Sequence, residues 1–375
     1  MEMKKKLYIF LSLNMVLMMV SFLYASEPTT PTKSETKIPY YQGKVITFVV
    51  NSSAGGGTDT GARVVARHLV RFIPGNPNIV IRNMAAGAGN VAPGFVERSK
   101  KNGLTALFHS SAAVSNNLFR PKGIDYRLEE MEFIFGEPQG AVVYGTRGIV
   151  PGDDAKNIQK AKNIIFGHEG PMSGASNVII WAQELLKFPV DKYIFGVAGD
   201  GPALLATIAG EYTVSGAGAL TYNAAVKPYV RKGELLPLFQ CGIFDDKGNI
   251  VREPALPPDV MTVPELYQAI YGRPPDITSL AFKAVKTTVV IRSYGKALLF
   301  PKGTPRELVD IIQKAAIEMI KDPAFMKDAD IVNPGAPRYA GVEAGKVYKM
   351  GVQADPIPVN YMKGIWSEKF GLKFD

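Results

Sequence analysis

The clearest hydrophobic pattern in the chain is a short continuous run followed by a helical one. Residues 45–50 (VITFVV) are all apolar or β-branched, which is typical of a strand buried on both faces, as in a parallel sheet. Apolar side chains then recur at helical spacing over residues 62–70. Residues 55–57, between the two patterns, are three consecutive glycines. The predicted order of strand, glycine loop and helix exposes free backbone N–H groups at the positive end of a helix dipole.

The alternation of strand and helix patterns continues through most of the chain. Further strands are predicted at residues 79–82, 104–109, 132–135, 141–144, 164–166, 193–195, 235–239 and 297–300. Further helices are predicted at residues 91–100, 115–120, 154–162, 177–186, 202–209, 263–271, 306–321 and 342–352, with irregular chain afterwards. Thr304, followed by Pro305 and Glu307, predicts a capping box at the start of the helix 306–321.

The order of these elements predicts a two-lobed α/β protein in which each lobe is a mostly parallel sheet flanked by helices. Residues 40–140 would form the first part of lobe 1, and residues 141–294 would form lobe 2. Residues 295–375 would return to lobe 1 and end in a C-terminal tail. Glycine loops at strand ends in both lobes indicate a ligand in the cleft between them.

The first residues of the chain have the pattern of an export signal. Residues 1–25 combine three lysines with a long apolar run, which is typical of a secretory signal peptide. An uncleaved membrane anchor is the alternative, because the run is nearly long enough to span a bilayer. The polar linker at residues 26–39 favours cleavage. In both cases the folded part is expected to be extracytoplasmic, in a periplasm.

Composition narrows the classes of function. The chain has 375 residues, of which 46% are hydrophobic and 21% charged, as in a globular protein. The net charge of +9 comes from scattered Lys and Arg residues, so nucleic-acid binding is not predicted. Cys241 is the single cysteine, which excludes an internal disulfide and favours a buried thiol in a strand.

Neither a catalytic nor a metal site is predicted. His68, His109 and His168 are dispersed and lack the spacing of metal ligands. The glycine loop lacks both the Lys-Ser/Thr of a phosphate-binding P-loop and the spacing of a dinucleotide-binding loop. Gly-x-Ser-x-Gly is absent from the sequence, and no Ser-His-Asp arrangement can be inferred. The sequence therefore favours a binding protein over an enzyme and predicts no cofactor.

Asp59 follows the three glycines and suits two roles equally. It would be a partner of the helix dipole, or it would contact a ligand amine or orient a water. Three glycines followed by Thr58 and Asp59, after a buried strand, favour a ligand loop over an ordinary tight turn.

Polar residues at other predicted strand ends also have two interpretations each. Ser110 and Ser111 are surface turn serines, or they donate to a carboxylate. Ser173 and Ser176 cap a helix, donate to a ligand, or do both. Asp200 lies between two glycines, where turn chemistry is the default.

Seven stretches of the chain, taken in order, match a known family. They are residues 44–63 (KVITFVVNSSAGGGTDTGAR), 82–83 with 86–90, 102–107, 115–126 (SNNLFRPKGIDY), 199–210 (GDGPALLATIAG), 258–265 (PDVMTVPE) and 301–305 (PKGTP). In these segments the chain resembles the extracytoplasmic substrate-binding receptors of tripartite tricarboxylate transporters, also called Bug-type receptors.

The resemblance implies a periplasmic-binding-protein fold of type II, which closes like a Venus flytrap on a small carboxylate and delivers it to a membrane permease. In such receptors, backbone amides, hydroxyls and ordered waters hold the carboxylates, often without an arginine. The ligand-facing residues on this basis are Ser53, Ala54, Gly55, Gly56, Gly57, Thr58, Asp59, Ser110, Ser111, Ser173, Gly174, Ser176, Gly199, Asp200 and Gly201.

The chain departs from the family pattern in three of its loops. Residues 51–53 (NSS) replace the usual Pro-containing approach to the glycine loop, and residues 84–87 (MAAG) replace a Pro-Gly. Residues 173–178 (SGASNV) replace the usual Ser-x-x-His-Leu. The family's common ligands are therefore not assigned to this chain.

The sequence as a whole predicts a monomeric receptor for a di- or tricarboxylate, an aromatic acid or an acidic amino acid. If Asp59 and Asp200 both face the cleft, the ligand would carry an amino group beside its carboxylate. One alternative is a receptor that reports its ligand to a membrane signalling protein. The other is an exported α/β hydrolase.

Overall fold

The computed structural model describes residues 38–87, 89–197, 199–245, 247–353 and 355–374. The predicted signal segment, residues 1–25, and all but the last two residues of the predicted linker, 26–39, lie outside the described residues. Within the described ranges, no helix is both long enough and apolar enough to cross a membrane.

Strands and helices alternate along most of the described chain. The strands are β1 (Val45–Val50), β2 (Asn78–Asn83), β3 (Thr105–His109), β4 (Glu132–Glu137), β5 (Ala141–Thr146), β6 (Ile165–His168), β7 (Lys192–Phe195), β8 (Val214–Gly218), β9 (Leu235–Gln240), β10 (Ile243–Phe244), β11 (Ile250–Val251), β12 (Lys296–Phe300) and β13 (Tyr339–Ala340). The main helices are α1 (Gly57–Leu69), α2 (Val91–Glu97), α3 (Ser111–Phe119), α4 (Gly174–Leu186), α5 (Asp200–Ile208), α6 (Val263–Tyr271), α7 (Leu280–Ser293), α8 (Arg306–Met319), α9 (Pro323–Val332), α10 (Gly341–Gly351) and α11 (Pro356–Phe370).

Shorter helical segments fill several of the connections. Those of 3₁₀ type are Val70–Phe72, Leu128–Glu130, Pro151–Asp153 and Ala155–Lys160. After β8 the chain runs through a short helix (Ala219–Thr221), a π-helical turn (Tyr222–Val226) and a further helical turn (Lys227–Arg231). The helix predicted at residues 154–162 is thus a 3₁₀ segment.

Two main sheets confirm the predicted α/β architecture. The first sheet has the strand order β13-β4-β12-β3-β1-β2, and the second has the order β7-β6-β8-β5-β9. Each sheet is mixed, which corrects the expectation of mostly parallel sheets. β1 is parallel to β2 and β3, and β6 is parallel to β7 and β8, because these strands come from successive strand–helix–strand units. β12 is antiparallel to β3 and β4, and β5 is antiparallel to β8 and β9.

The chain passes from one sheet to the other at two short connections. Residues 138–140 lead from β4 to β5, and residues 294–295 lead from α7 to β12. The strands of the first sheet therefore lie within residues 40–140 and 295–375, and those of the second within residues 141–294. The division into lobes that move as separate bodies stays a prediction.

The start of α8 corrects the predicted capping box. Arg306 is the first residue of α8 and Pro305 is its N-cap. The Thr304 hydroxyl donates instead to the Pro301 carbonyl (2.9 Å), because residues 301–304 form a turn of their own. A capping box does occur at α6, where the Thr262 side chain and the N3 residue Glu265 bond to one another's backbone N–H groups.

The end of the chain corrects a second expectation. Residues 356–370 form a regular helix, α11, where irregular chain was predicted. The Asp355 side chain caps this helix by accepting from the Ile357 N–H (3.0 Å), and Pro356 occupies the first turn, where it costs no hydrogen bond. α11 packs against α7 and α3.

One apolar core extends beneath both sheets. It contains Val49 of the first sheet, Val143 of the second and Trp366 of α11. The Trp366 ring lies edge-on to Phe119, with ring centroids 4.5 Å apart, and 5.2 Å from Trp181. Cys241 is buried in the same core, as predicted, one residue beyond β9.

Candidate functional site

The glycine loop between β1 and α1 is organised by the Asp59 carboxylate. Asp59 is buried in the first turn of α1 and accepts hydrogen bonds from the Gly55 N–H (2.8 Å) and Arg63 Nε (2.9 Å). A third bond comes from Asn83 Nδ2 (2.9 Å). Burial raises the pKa of Asp59, but these hydrogen bonds outweigh burial and lower the pKa below its ordinary value. The geometry thus favours a loop-anchoring role for Asp59 over contact with a ligand amine.

Asn51 links the glycine loop to the loop that follows β3. Its buried side-chain oxygen accepts a hydrogen bond from the Ser110 N–H (2.7 Å). Ser110 is the N-cap of α3, and its own side chain does not cap this helix; the Gln139 side-chain oxygen accepts from the Ser111 N–H (3.3 Å), and the first turn holds no acidic residue. The start of α3 is therefore a positive helix end without an anionic partner among the described residues.

The start of α4, on the second sheet, has the same character. Ser173 is its N-cap, and Gly174 is its first residue. Among the described residues, no side chain caps α4, and no acidic residue lies in its first turn. Two positive helix ends, one from each sheet, therefore lie near the connections between the sheets.

Arg292 lies between these two helix starts. It is 2% exposed, near the end of α7. Its Nη1 donates to Ser111 Oγ (2.9 Å), and its Nη2 donates to the Gly140 carbonyl (2.7 Å). The guanidinium lies so close to Gly174 that a Cβ at this position would overlap Nη1. Arg292 thereby joins the first turn of α3, the connection at residues 138–140 and the first turn of α4.

A second polar chain runs from α4 to α5. His168 Nδ1 lies 3.0 Å from Ser173 Oγ, and His168 Nε2 lies 3.2 Å from Asp200 Oδ1. Ser173 Oγ is also 3.0 Å from Ser176 Oγ. Burial raises the pKa of Asp200, but the His168 contact, the Gly218 N–H bond and the Arg292 charge together lower it below its ordinary value. Asp200 is therefore ionised and held by groups of the second sheet.

The structure brings several of the predicted ligand-binding residues together and leaves others apart. Ser111, Gly174 and Asp200 surround Arg292 or lie within reach of its charge. The glycine loop approaches the second sheet at Gly57, where a Cβ would lie 3.1 Å from Leu220 Cδ2. Gly201, by contrast, is exposed and has open space where a side chain would be.

The remaining predicted residues occupy the same loops. Ser53, Ala54, Gly55, Gly56 and Thr58 lie in or beside the glycine loop, Ser110, Ser173 and Ser176 lie at the starts of α3 and α4, and Gly199 precedes α5. Gly199 has a φ of 103°, a conformation that favours glycine. The assignment of all these residues to ligand contact stays a prediction.

Sequence reasoning missed Arg292, Asn51 and His168. Arg292 lies 181 positions from the Ser111 that it contacts, so no local spacing could have shown the pair. His168 stands out in the sequence only as one of three dispersed histidines, although it lies in the loop of residues 167–176 between a predicted strand and a predicted helix. Its position at a strand end, five residues before Ser173, was the available signal.

A metal centre finds no support in the described part of the chain. No group of three or more His, Cys, Asp or Glu residues there is placed to hold a metal ion. The polar contacts around Arg292 are made by its guanidinium, the Ser111 hydroxyl, the Gly140 carbonyl and the Gln139 side-chain oxygen, which accepts from the Ser111 N–H.

Similarity of this chain to known protein sequences is limited. No family model matches the chain. A UPF0065 protein from the tcbD–tcbE intergenic region of Pseudomonas sp. strain P51 is 27% identical over 94 residues, which is 25% of this chain and 27% of that protein. The chain thus spans about a quarter of the length of this curated relative.

Solved structures match almost the whole described chain. The periplasmic binding protein BugD covers 89% of this chain and 99% of its own, with 18% identity and a TM-score of 0.62. MatC from Rhodopseudomonas palustris, solved with malate, covers 86% and 98%, with 17% identity and a TM-score of 0.60. A TctC solute-binding protein from Polaromonas covers 88% and 99%, with 18% identity and a TM-score of 0.59.

The family resemblance seen in the sequence agrees with the similarity to the UPF0065 protein and to the solved structures, although all these proteins share few identical residues with this chain. The chain has the fold of the Bug- and TctC-type solute-binding proteins.

Proposed function

We propose that this chain is an extracytoplasmic receptor that binds a small carboxylate between its two sheets and delivers it to a membrane permease of the tripartite tricarboxylate type. One observation carries the proposal: α3 and α4 begin near one another at the junction of the sheets, and neither helix has a capping N-cap side chain or an acidic residue in its first turn. Free N–H groups at helix starts bind anions, and a carboxylate satisfies several at once.

The first turn of α1, which begins at Gly57 directly after the glycine loop, adds a third set of backbone N–H donors on the side of the first sheet. The Gly55 and Gly56 N–H groups are already bonded to Asp59 and to the Ser53 carbonyl. Gly55 and Gly56 precede α1, and Asp59 holds the loop in place from behind through the Gly55 N–H. The malate bound to MatC, which shares this fold, is a ligand of the proposed chemical class. Di- and tricarboxylates, aromatic acids and acidic amino acids are the candidates.

A thermal-shift screen tests the proposal. At about 100 times its Kd, a ligand that binds only the folded state stabilises that state by about 2.7 kcal/mol. At least one carboxylate among malate, adipate, citrate, benzoate and glutamate is therefore expected to raise Tm by several degrees, with calorimetry confirming one site. Stabilisation by sugars or metal ions, with none by any carboxylate, would contradict the proposal.

A second candidate function, acyl-ester hydrolysis, rests on the Ser173–His168–Asp200 contacts. In a hydrolase the Ser173 hydroxyl would attack an acyl carbon and pass its proton to His168, which the Asp200 carboxylate would orient. In a receptor the same three contacts fix the loop before α4. Turnover of p-nitrophenyl acetate by the wild type, abolished in Ser173→Ala, would favour hydrolysis; we expect no turnover above the buffer rate.

Transport and sensing use the same ligand site and differ in the protein partner. Recovery of a membrane permease with the ligand-loaded full chain would support transport. Recovery of a membrane signalling protein instead would support the alternative of a sensor.

A further inference from the structure

Arg292 is a buried cation without an anionic partner among the described residues. Its two hydrogen bonds end on neutral oxygen atoms, Ser111 Oγ and the Gly140 carbonyl. Its Nε has no hydrogen-bond partner in the described chain, and it makes no ion pair within 4.0 Å there. A buried charge is costly unless it is paired, so this arrangement calls for a negative group.

The surroundings of the Arg292 guanidinium make its unpaired positive charge still less favourable. Its Nη1 touches Gly174, the first residue of α4, where the helix dipole is also positive. A cation is unfavourable at this end of a helix unless an anion lies with it. The guanidinium and the N–H groups of α4 therefore point to one shared anion.

Two carboxylates of the chain lie near enough to influence Arg292. Asp200 is engaged by His168 and the Gly218 N–H. Glu253 is 1% exposed, and neither of its carboxylate oxygens makes a hydrogen bond of 3.5 Å or less among the described residues, although the Ala255 backbone N–H lies close enough to favour its ionised form. Its side chain packs on Gly140, where a Cβ would lie 2.5 Å from Glu253 Cγ. Glu253 is thus the free carboxylate beside the residue whose carbonyl accepts from Arg292.

We propose that Arg292 is an anion subsite that takes a carboxylate group of the solute directly, and that Glu253 competes with the solute for it. This inference rests on the proposed function and adds to it the residue that recognises the negative charge of the solute. A guanidinium binds a carboxylate through two parallel hydrogen bonds, so the solute class is one with an unhindered carboxylate at its end.

Protonation of Glu253 makes the competition measurable. Burial raises the pKa of Glu253 to about 7. The Ala255 backbone N–H and the positive charges of Arg292 and Lys296 oppose this rise, and the negative charge of Glu137 adds to it. Cys241 also lies near Glu253, and burial raises the pKa of its thiol to about 12. A solute anion at Arg292 disfavours the ionised form of Glu253 and raises its pKa further. Affinity should therefore be highest below pH 7 and fall as pH rises toward 8.

Calorimetry with malate, adipate and benzoate on purified variants tests the inference. Arg292→Gln is expected to weaken binding of the best probe by about 100-fold, and Arg292→Lys by about 10-fold, because lysine keeps the charge but not the paired geometry. Gly174→Ala, which displaces the guanidinium, should also weaken binding. Gly364→Ala is the matched control, since Gly364 is exposed on α11 and its Cβ would meet no atom within 4 Å.

The pH profile separates ligand contact from a structural role. Wild-type affinity should fall by about 10-fold between pH 6 and pH 8, and Glu253→Gln should abolish this dependence. Unchanged affinity in folded Arg292→Lys and Gly174→Ala, or the same pH profile in Glu253→Gln, would overturn the inference and leave the receptor intact. If the wild type binds none of the probes, the proposed function itself fails. If Arg292→Gln does not fold, the variants Arg292→Lys, Gly174→Ala and Glu253→Gln still test the inference.

Discussion

Replacing Glu137 with alanine is expected to lower the free energy of unfolding by about 3–5 kcal/mol. Glu137 ends β4, where the chain leaves the first sheet, and Lys296 begins β12, where it returns. Glu137 Oε1 lies 3.4 Å from Lys296 Nζ, and Oε2 lies 3.6 Å from Arg338 Nε. All three side chains are at most 6% exposed. Without the carboxylate, two buried cations lose their shared partner.

Urea denaturation followed by circular dichroism measures this change. Glu343→Gln is a suitable control, because the Glu343 side chain is 83% exposed and its pair with Lys346 lies in solvent. That control should change the free energy of unfolding by less than about 0.5 kcal/mol. A similarly small change in Glu137→Ala would show that the carboxylate does not neutralise the buried cations.

Trp366→Ala is expected to cost about 3–5 kcal/mol of stability. Trp366 is fully buried on α11 and packs edge-on to Phe119 of α3 and against Trp181 of α4. The substitution would open a cavity where helices of the two sheets meet, and the surrounding rings are too rigid to fill it. The midpoint of urea denaturation should fall while its slope stays unchanged.

Ile357→Ala, on the same helix, is the matched control. Ile357 is 57% exposed, so its replacement should have little effect on stability. Equal effects of the two substitutions would mean that α11 contributes through its helical structure alone and not through its buried face. A normal midpoint in Trp366→Ala would contradict the packing described here.

The parts of the fold that sequence reasoning found are those with a strong local signal. β1 is a continuous apolar run and α1 has an apolar face, so both could be predicted with the loop between them. β8, with the sequence VSGAG, was missed because small side chains carry no hydrophobic pattern. Its Gly216 is small for a tertiary reason, since a Cβ there would lie 2.7 Å from the Ala175 Cβ of α4.

The main helices missing from the predictions are α7, α9 and α11, and the physical reasons for α7 and α11 differ. α7 is buried against several neighbours, so its apolar residues do not form one stripe, and it contains Thr287, Thr288 and several β-branched residues that disfavour helix. α11 begins with Pro356 and Pro358, which resemble irregular chain although proline fits a first helical turn. In both cases tertiary packing outweighed local propensity.

The candidate site shows the same division. Loops at the ends of strands could be predicted, because ligands in α/β proteins bind there. Arg292 could not, since its contacts with Ser111 and Gly140 bridge 181 and 152 positions. Glu253 lies between the predicted strand 235–239 and the predicted helix 263–271, where neither a strand nor a helix is predicted, yet it is almost fully buried. Charged groups that interact across two sheets are far apart in the sequence, so local residue spacing cannot predict their contacts.

Trp181 and Trp366 are the only tryptophans in the sequence, and their rings lie 5.2 Å apart. All indole emission of this protein therefore originates at one spot, where α4 and α11 meet. A rearrangement that moves α11 relative to α4 would alter the edge-to-face packing of this pair and so its emission spectrum. Solute titrations can accordingly be followed by intrinsic fluorescence, without attaching a dye.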